Sequence, residues 1–151
     1  ATGAATGFKL AQPDRQVVAL SGDGAFMFQN NLWAMKRYDA AILIVILNNR
    51  AYNMNRAFGW LRGGAQAELK KDMLTYLGNP DVDFTLLAKA HEIDGEVVSE
   101  PGELRAAIDR GIARTRAGES YVLDVRTERW GAGGDLAWHP ELSIAGMRQK
   151  S

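Results

Sequence analysis

The sequence predicts an α/β fold, a mainly parallel sheet with helices on both faces, and three observations carry that prediction. Short strand-like runs rich in apolar residues at 16–20, 42–47, 95–98 and 121–125 alternate with stretches whose apolar residues recur at helical spacing. The run 42–47 has no polar residue at all, as a strand buried on both faces of a parallel sheet requires. The intervals between runs have room for helical crossovers of the usual right hand. No internal repeat, low-complexity segment or linker interrupts the pattern, so residues 1–151 read as one domain with a C-terminal tail at 127–151.

Taken in order, residues 1–11 are small and apolar with Gly3 and Gly7 four apart, a pattern that lets a helix pack closely on a neighbour. They begin without an initiator Met or a capping residue, so Ala1 is expected to lie inside an element whose start is missing. Gln12, Pro13 and Asp14 make a turn into the first strand, 16–20, and Gly22 with Gly24 allows a sharp bend after it. Phe28, Leu32 and Met35 predict a helix ending near Arg37 and Tyr38. The second strand follows at 42–47. From 50 to 81 the periodicity blurs; a short helix is expected over 65–77, and Gly78, Asn79 and Pro80 close the excursion.

Asp83 is placed to cap a helix whose face is Phe84, Leu87, Ala88 and His91. After the strand at 95–98, Pro101, Glu103, the stripe Leu104, Ile108 and Ile112, and the terminal Arg114 and Arg116 punctuate a helix that Gly118 stops. Strand 121–125 leads into the tail, where Trp130, Trp138 and His139 show no clear periodicity.

Composition excludes several classes of function. Eighteen basic residues balance eighteen acidic ones, which leaves no electrostatic footprint for nucleic acid or an anionic membrane. Cysteine is absent, removing disulfides, thiolate catalysis and zinc-thiolate sites and pointing to the cytoplasm as the expected compartment. The longest apolar run, 40–47, is far short of the roughly 20 residues that span a bilayer.

The chemistry is concentrated at two strand ends. In a parallel sheet, strands joined by a helix finish on the same edge, and ligands bind beyond it. Asp23 follows the first strand and Asn48 with Asn49 follows the second, twenty-six positions later, an interval that fits one crossover. One carboxylate and one amide oxygen can therefore converge. Oxygen donors without soft ligands suit magnesium, which takes six oxygens and commonly shares phosphate oxygens and water. A backbone carbonyl shortly after Asn49 and two diphosphate oxygens would complete the shell, with amides after Gly24, beginning at Ala25, donating to phosphate.

Gly22, Asp23 and Gly24 followed by Asn48 and Asn49 resemble the cofactor signature of thiamine-diphosphate-dependent enzymes. The segment Lys9, Leu10, Ala11, Gln12, Pro13, Asp14 and Arg15 is similar to what precedes that signature in the acetolactate synthase and 2-oxo acid decarboxylase superfamily. The resemblance covers residues 1–126 and implies the C-terminal, diphosphate-binding domain of a longer subunit. It implies that Asp23, the Asn49 side chain and the main-chain carbonyl of Ala51 bind magnesium. It also implies that Gly22, Asp23, Gly24, Ala25, Asn49, Ala51 and Tyr52 lie along the cofactor.

The implied chemistry is attack of the cofactor's thiazolium carbon on a 2-oxo acid or aldehyde carbonyl, as in decarboxylases and carboligases. The glutamate that activates the cofactor's aminopyrimidine belongs to a separate pyrimidine-binding domain, on a longer parent chain or a partner subunit. No catalytic residue is assignable here, and this polypeptide is expected to be inactive alone; the intact enzyme is expected to be a homo-oligomer.

Simpler roles compete at several positions. Asn48 is expected to be structural, bonding loop backbone. Tyr52, Asn53 and Met54 fit packing or loop capping as well as they fit a cofactor or substrate contact, and Phe58 with Trp60 fits a closing element or, as an exposed pair, a contact with another domain. His91 reads as a packed histidine, His139 sits in the tail, and two isolated histidines without cysteine make no zinc site. The arginines of the last helix read as a solvated face. The alternative function is a non-catalytic Rossmann-like nucleotide-binding or assembly module in which Gly22–Gly24 is only a turn.

Overall fold

The computed structural model describes residues 1–28, 31–63, 68 and 75–128. The predicted tail residues Trp130, Trp138 and His139 lie outside them, as does most of the helix expected over 65–77. The chain forms two compact units, one of residues 1–48 and 83–127 and one of residues 49–82 and 128–151.

The first unit is built on a four-stranded sheet, ordered β1-β2-β4-β3 and parallel throughout. Its strands are β1 (Val18–Gly22), β2 (Leu43–Asn48), β3 (Asp94–Val98) and β4 (Tyr121–Arg126). Central β2 pairs with β1 from Val18↔Leu43 to Gly22↔Leu47, and with β4 from Leu43↔Tyr121 to Asn48↔Arg126. Leu43, Ile44 and Ile46 are wholly buried, each worth about 1.5–3 kcal/mol of hydrophobic stabilisation. β1 begins and ends two residues later than expected, so Ser21 and Gly22 are strand and Asp23 follows directly.

The helices of this unit are α1 (Thr2–Ala11), α2 (Asp23–Phe26), α3 (Asn31–Arg37), α5 (Phe84–Lys89) and α6 (Leu104–Arg116), with α4 (Asn53–Leu61) in the second unit. One sheet face packs Leu43, Val45, Leu123 and Val125 against Ala107 of α6, with Leu104, Ile108 and Ile112 partly buried beside them. The buried stripe of α6 is Ala107, Gly111 and Thr115, one position round from the predicted one. Small residues win there because α6 lies close to β2: a methyl added to Gly111 would stand 2.5 Å from a Leu43 methyl. On the other face, Phe26 of α2 meets Phe84 of α5 edge to face at 5.5 Å.

Three further expectations change. The helix after β1 is two pieces, and Phe28 lies before α3 with 77% of its surface exposed, while Leu32 and Met35 are buried as predicted. α1 buries Thr2 and Thr6, and a methyl on Gly3 or Gly7 would meet nothing within 4 Å among the described residues, so no close approach at those glycines is seen among them. His91 is half-buried but follows the end of α5, where its N–H donates to the Ala88 carbonyl. α6 ends as predicted at Gly118, whose φ of +88° suits glycine. Its arginines are exposed, and three of them are paired: Arg105 with Asp109, Arg110 with Glu96 at 2.6 Å, and Arg114 with Asp94 and Glu119.

In the second unit, Tyr52 N–H donates to the Thr75 carbonyl and Leu77 N–H to the Arg50 carbonyl, both at 2.8 Å. Ala51 and Tyr76 form an antiparallel bridge, so the end of the predicted 65–77 helix is extended backbone. Arg56 of α4 is wholly buried and donates to Asn53 Oδ1. Phe58 is exposed as expected, and the Trp60 side chain lies outside the described residues. No helix among the described residues is long and apolar enough to cross a membrane.

Asp83 caps α5 as the sequence predicts, its Oδ1 accepting from Thr85 N and Leu86 N, each at 2.9 Å. The Thr85 hydroxyl bond, helped by these amides, holds the carboxyl below its ordinary value. A lowered carboxyl stabilises the fold fully above its unfolded value of about 3.9 and loses that contribution as pH falls through the folded value. Asp83→Ala should therefore lower the unfolding free energy by about 1 kcal/mol near neutrality. The difference from wild type should shrink in acid, as measured by urea unfolding at several pH values; an equal loss at every pH would contradict this cap.

Candidate functional site

The carboxyl edge of the sheet gathers the polar groups of the first unit. The β1–β2 pairing ends with Gly22 opposite Leu47, so that Asp23, the first residue of α2, and Asn48, the last residue of β2, each lie one residue beyond that pair. Asp23 opens α2 and is only 4% exposed, and its Oδ1 accepts the Gly24 N–H at 2.8 Å. Gly24 is buried and Ala25 exposed on the same short helix, while a methyl on Gly22 would meet nothing within 4 Å.

Asn48 is 2% exposed, and its side chain reaches a buried carboxylate across the sheet. Its Nδ2 donates to Oδ1 of Asp124 at 2.8 Å, and its carbonyl accepts the Thr127 N–H at 2.9 Å. A buried carboxylate outcompetes loop carbonyls as an acceptor because a charge removed from water gains most from each donor.

Asp124 is the residue that sequence reasoning missed. It is completely buried within β4, and its Oδ2 stands 3.0 Å from Arg126 Nη2 without a well-aligned hydrogen bond. Burial pushes its carboxyl up from the ordinary value; the Asn48 bond and the Arg126 charge oppose this, while Asp83 and Asp23 add to it. The signal was present: in a strand buried on both faces, a lone acid among Val122, Leu123 and Val125 is costly unless it serves a purpose.

In the second unit, Asn49 and Ala51 share one turn. Asn49 Oδ1 accepts the Ala51 N–H at 3.0 Å across Arg50, whose φ of +56° is left-handed. An amide oxygen with one hydrogen bond keeps a second lone pair. Ala51 is 5% exposed, and Tyr52 is half-buried, its carbonyl accepting the Arg56 N–H. The predicted ligands thus fall in both units, Asp23 in the first and Asn49, Ala51 and Tyr52 in the second.

The donor set of Asp23, Asn49 and Ala51 is oxygen alone, which fits a hard cation such as magnesium. No three His, Cys, Asp or Glu side chains gather into a metal cluster among the described residues.

Comparison with known proteins gives a consistent picture. The family model described as "Thiamine pyrophosphate enzyme, C-terminal TPP binding domain" matches residues 1–125. The acetolactate synthase large subunit of Mycobacterium tuberculosis is 34% identical over 132 residues, 83% of this chain and 21% of that protein. The acetolactate synthase isozyme 2 large subunit of Escherichia coli is 36% identical over 107 residues, 70% of this chain and 18% of that protein. Benzoylformate decarboxylase of Pseudomonas aeruginosa is 30% identical over 126 residues, 83% of this chain and 22% of that protein.

Among solved structures, the thiamine diphosphate-dependent 4-hydroxybenzoylformate decarboxylase of Rhodococcus jostii superposes with a TM-score of 0.68 at 28% identity, covering 83% of this chain and 22% of that one. The chain spans about a fifth of the length of these relatives.

Asn48→Ala should remove the donor that satisfies a buried carboxylate and lower the unfolding free energy by about 1–3 kcal/mol. Chemical denaturation measures it, and an unchanged midpoint would show that the Asn48–Asp124 bond contributes nothing.

Proposed function

We propose, from the premise that this chain belongs to the thiamine pyrophosphate enzymes as their C-terminal TPP-binding domain, that it anchors the cofactor's diphosphate through a magnesium ion. The Asp23 carboxylate, the Asn49 amide oxygen and the Ala51 carbonyl are its protein ligands. The observation that carries the reading is the position of Asp23, a buried carboxylate one residue past the paired ends of two parallel strands, in a stretch that matches the family.

In this reading each residue has a bounded task. Asp23 meets the cation with a full negative charge in a dry setting, where charge pairing is stronger than in water. Asn49 and Ala51 add neutral oxygens and leave the remaining positions to phosphate and water. Gly22 and Gly24 keep the backbone beside the phosphate free of side chains, the Ala25 amide donates to it, and Tyr52 lines the cofactor. Bound thiamine diphosphate supplies a nucleophilic carbon and an electron sink for cleaving or joining bonds beside a carbonyl.

The acetolactate synthase and decarboxylase relatives support a 2-oxo acid or aldehyde as the substrate class and a decarboxylase or carboligase as the activity. The pyrimidine-binding domain that completes such a site is supplied by a longer parent chain or a partner subunit, in a homo-oligomer of the cytoplasm.

Asp23→Ala should abolish magnesium-dependent binding of thiamine diphosphate in calorimetry, and retained tight binding would overturn the assignment. The 151-residue chain alone should not turn over pyruvate or benzoylformate in the presence of magnesium and cofactor. Turnover by the purified chain would show that no second domain is needed.

A further inference from the structure

The polar centre at the carboxyl edge contains one group that the cofactor reading leaves without a task. Asp124 is wholly buried, yet β4 needs nothing but apolar side chains to hold its place between β2 and β3. Burying a carboxylate works against folding even after its partners offset part of the penalty, and a well-packed Leu or Val would serve the sheet better.

What Asp124 does touch is specific. One carboxylate oxygen holds the Asn48 side chain at 2.8 Å, and the other faces Arg126 at 3.0 Å, while Thr127 N–H fixes the Asn48 carbonyl. The last residue of β2 is thereby clamped through its side chain from β4 and through its backbone from Thr127, the residue after β4. A single peptide bond separates it from Asn49, the residue read as a magnesium ligand.

We infer that Asp124 is a positioning residue for cofactor binding: its carboxylate locks the Asn48 side chain and so fixes the point from which the Asn49–Ala51 turn leaves the sheet. The inference rests on the cofactor reading above, with Asp124 touching neither cofactor nor metal. Its part is that of an outer group orienting inner ligands, a role whose loss typically weakens metal binding about 10- to 100-fold.

A merely structural Asp124 would change global stability and leave the turn and the affinity alone. Hydrogen–deuterium exchange of the ligand-free chain and calorimetric titration with thiamine diphosphate plus magnesium separate the two. Asp124→Leu should speed exchange selectively at Asn49–Ala51 and weaken cofactor binding about 10- to 100-fold. Asp124→Asn, which keeps an acceptor oxygen for Asn48, should restore both close to wild type. Asn48→Ala cuts the same bond from the other side and should match Asp124→Leu, and the double variant should be no worse than either single one.

Unchanged exchange and affinity in Asp124→Leu would overturn the inference. So would faster exchange spread evenly over the sheet, an Asp124→Asn as weak as Asp124→Leu, or additive losses in the double variant. If Asp124→Leu does not fold, Asn48→Ala and Asp124→Asn carry the same expectations. If the wild-type chain binds no thiamine diphosphate, the cofactor reading fails, and the ligand-free exchange still decides whether Asp124 fixes the turn.

Discussion

Parallel pairing of β2, with β1 on one side and β4 on the other, governs everything else in the sheet unit. Because all three strands run the same way, their carboxyl ends meet on one edge, and the registers Gly22↔Leu47 and Asn48↔Arg126 fix which residues arrive there. A slip of one residue would turn Leu43, Val45 and Leu47 toward the opposite face and carry the polar ends out of line. The close packing that opposes such a slip, as of α6 at Gly111 against Leu43, also keeps Asp23 and Asn48 at the same level. Core packing and site geometry are therefore one constraint.

That edge concentrates negative charge. Asp23 and Asp124 are buried, and Asp83 caps α5 close enough to raise the Asp124 carboxyl further. A carboxyl raised by burial works against stability at neutral pH: as pH climbs from its unfolded value through its folded one, the native state gives up protons less readily and loses relative stability. Asn48 and Arg126 offset part of this. A divalent cation held there, as proposed above, would relieve the same repulsion.

Much of this was legible in the sequence. The uninterrupted apolar run at 42–47 marked a strand buried on both faces, Asp83 marked a cap, and the glycines around Asp23 with the paired asparagines marked two strand ends on one edge. Less legible was whatever depends on tertiary neighbours. Phe28 fits a helical stripe by spacing but falls before α3, because the chain breaks between α2 and α3. The buried stripe of α6 is chosen by its close approach to Leu43, which no periodicity reveals. Asn48 could be read as structural, but its partner Asp124 lies on a strand 76 positions away, and only the sheet order joins them.

The central claim is that this chain holds thiamine diphosphate through a magnesium ion at the carboxyl edge of its sheet. The most direct measurement is an equilibrium titration of the unaltered chain with thiamine diphosphate, followed by calorimetry with magnesium and again with a chelator in its place. The account predicts saturable, one-to-one binding with magnesium and none without it. Binding of equal strength in both conditions, or in neither, would contradict it.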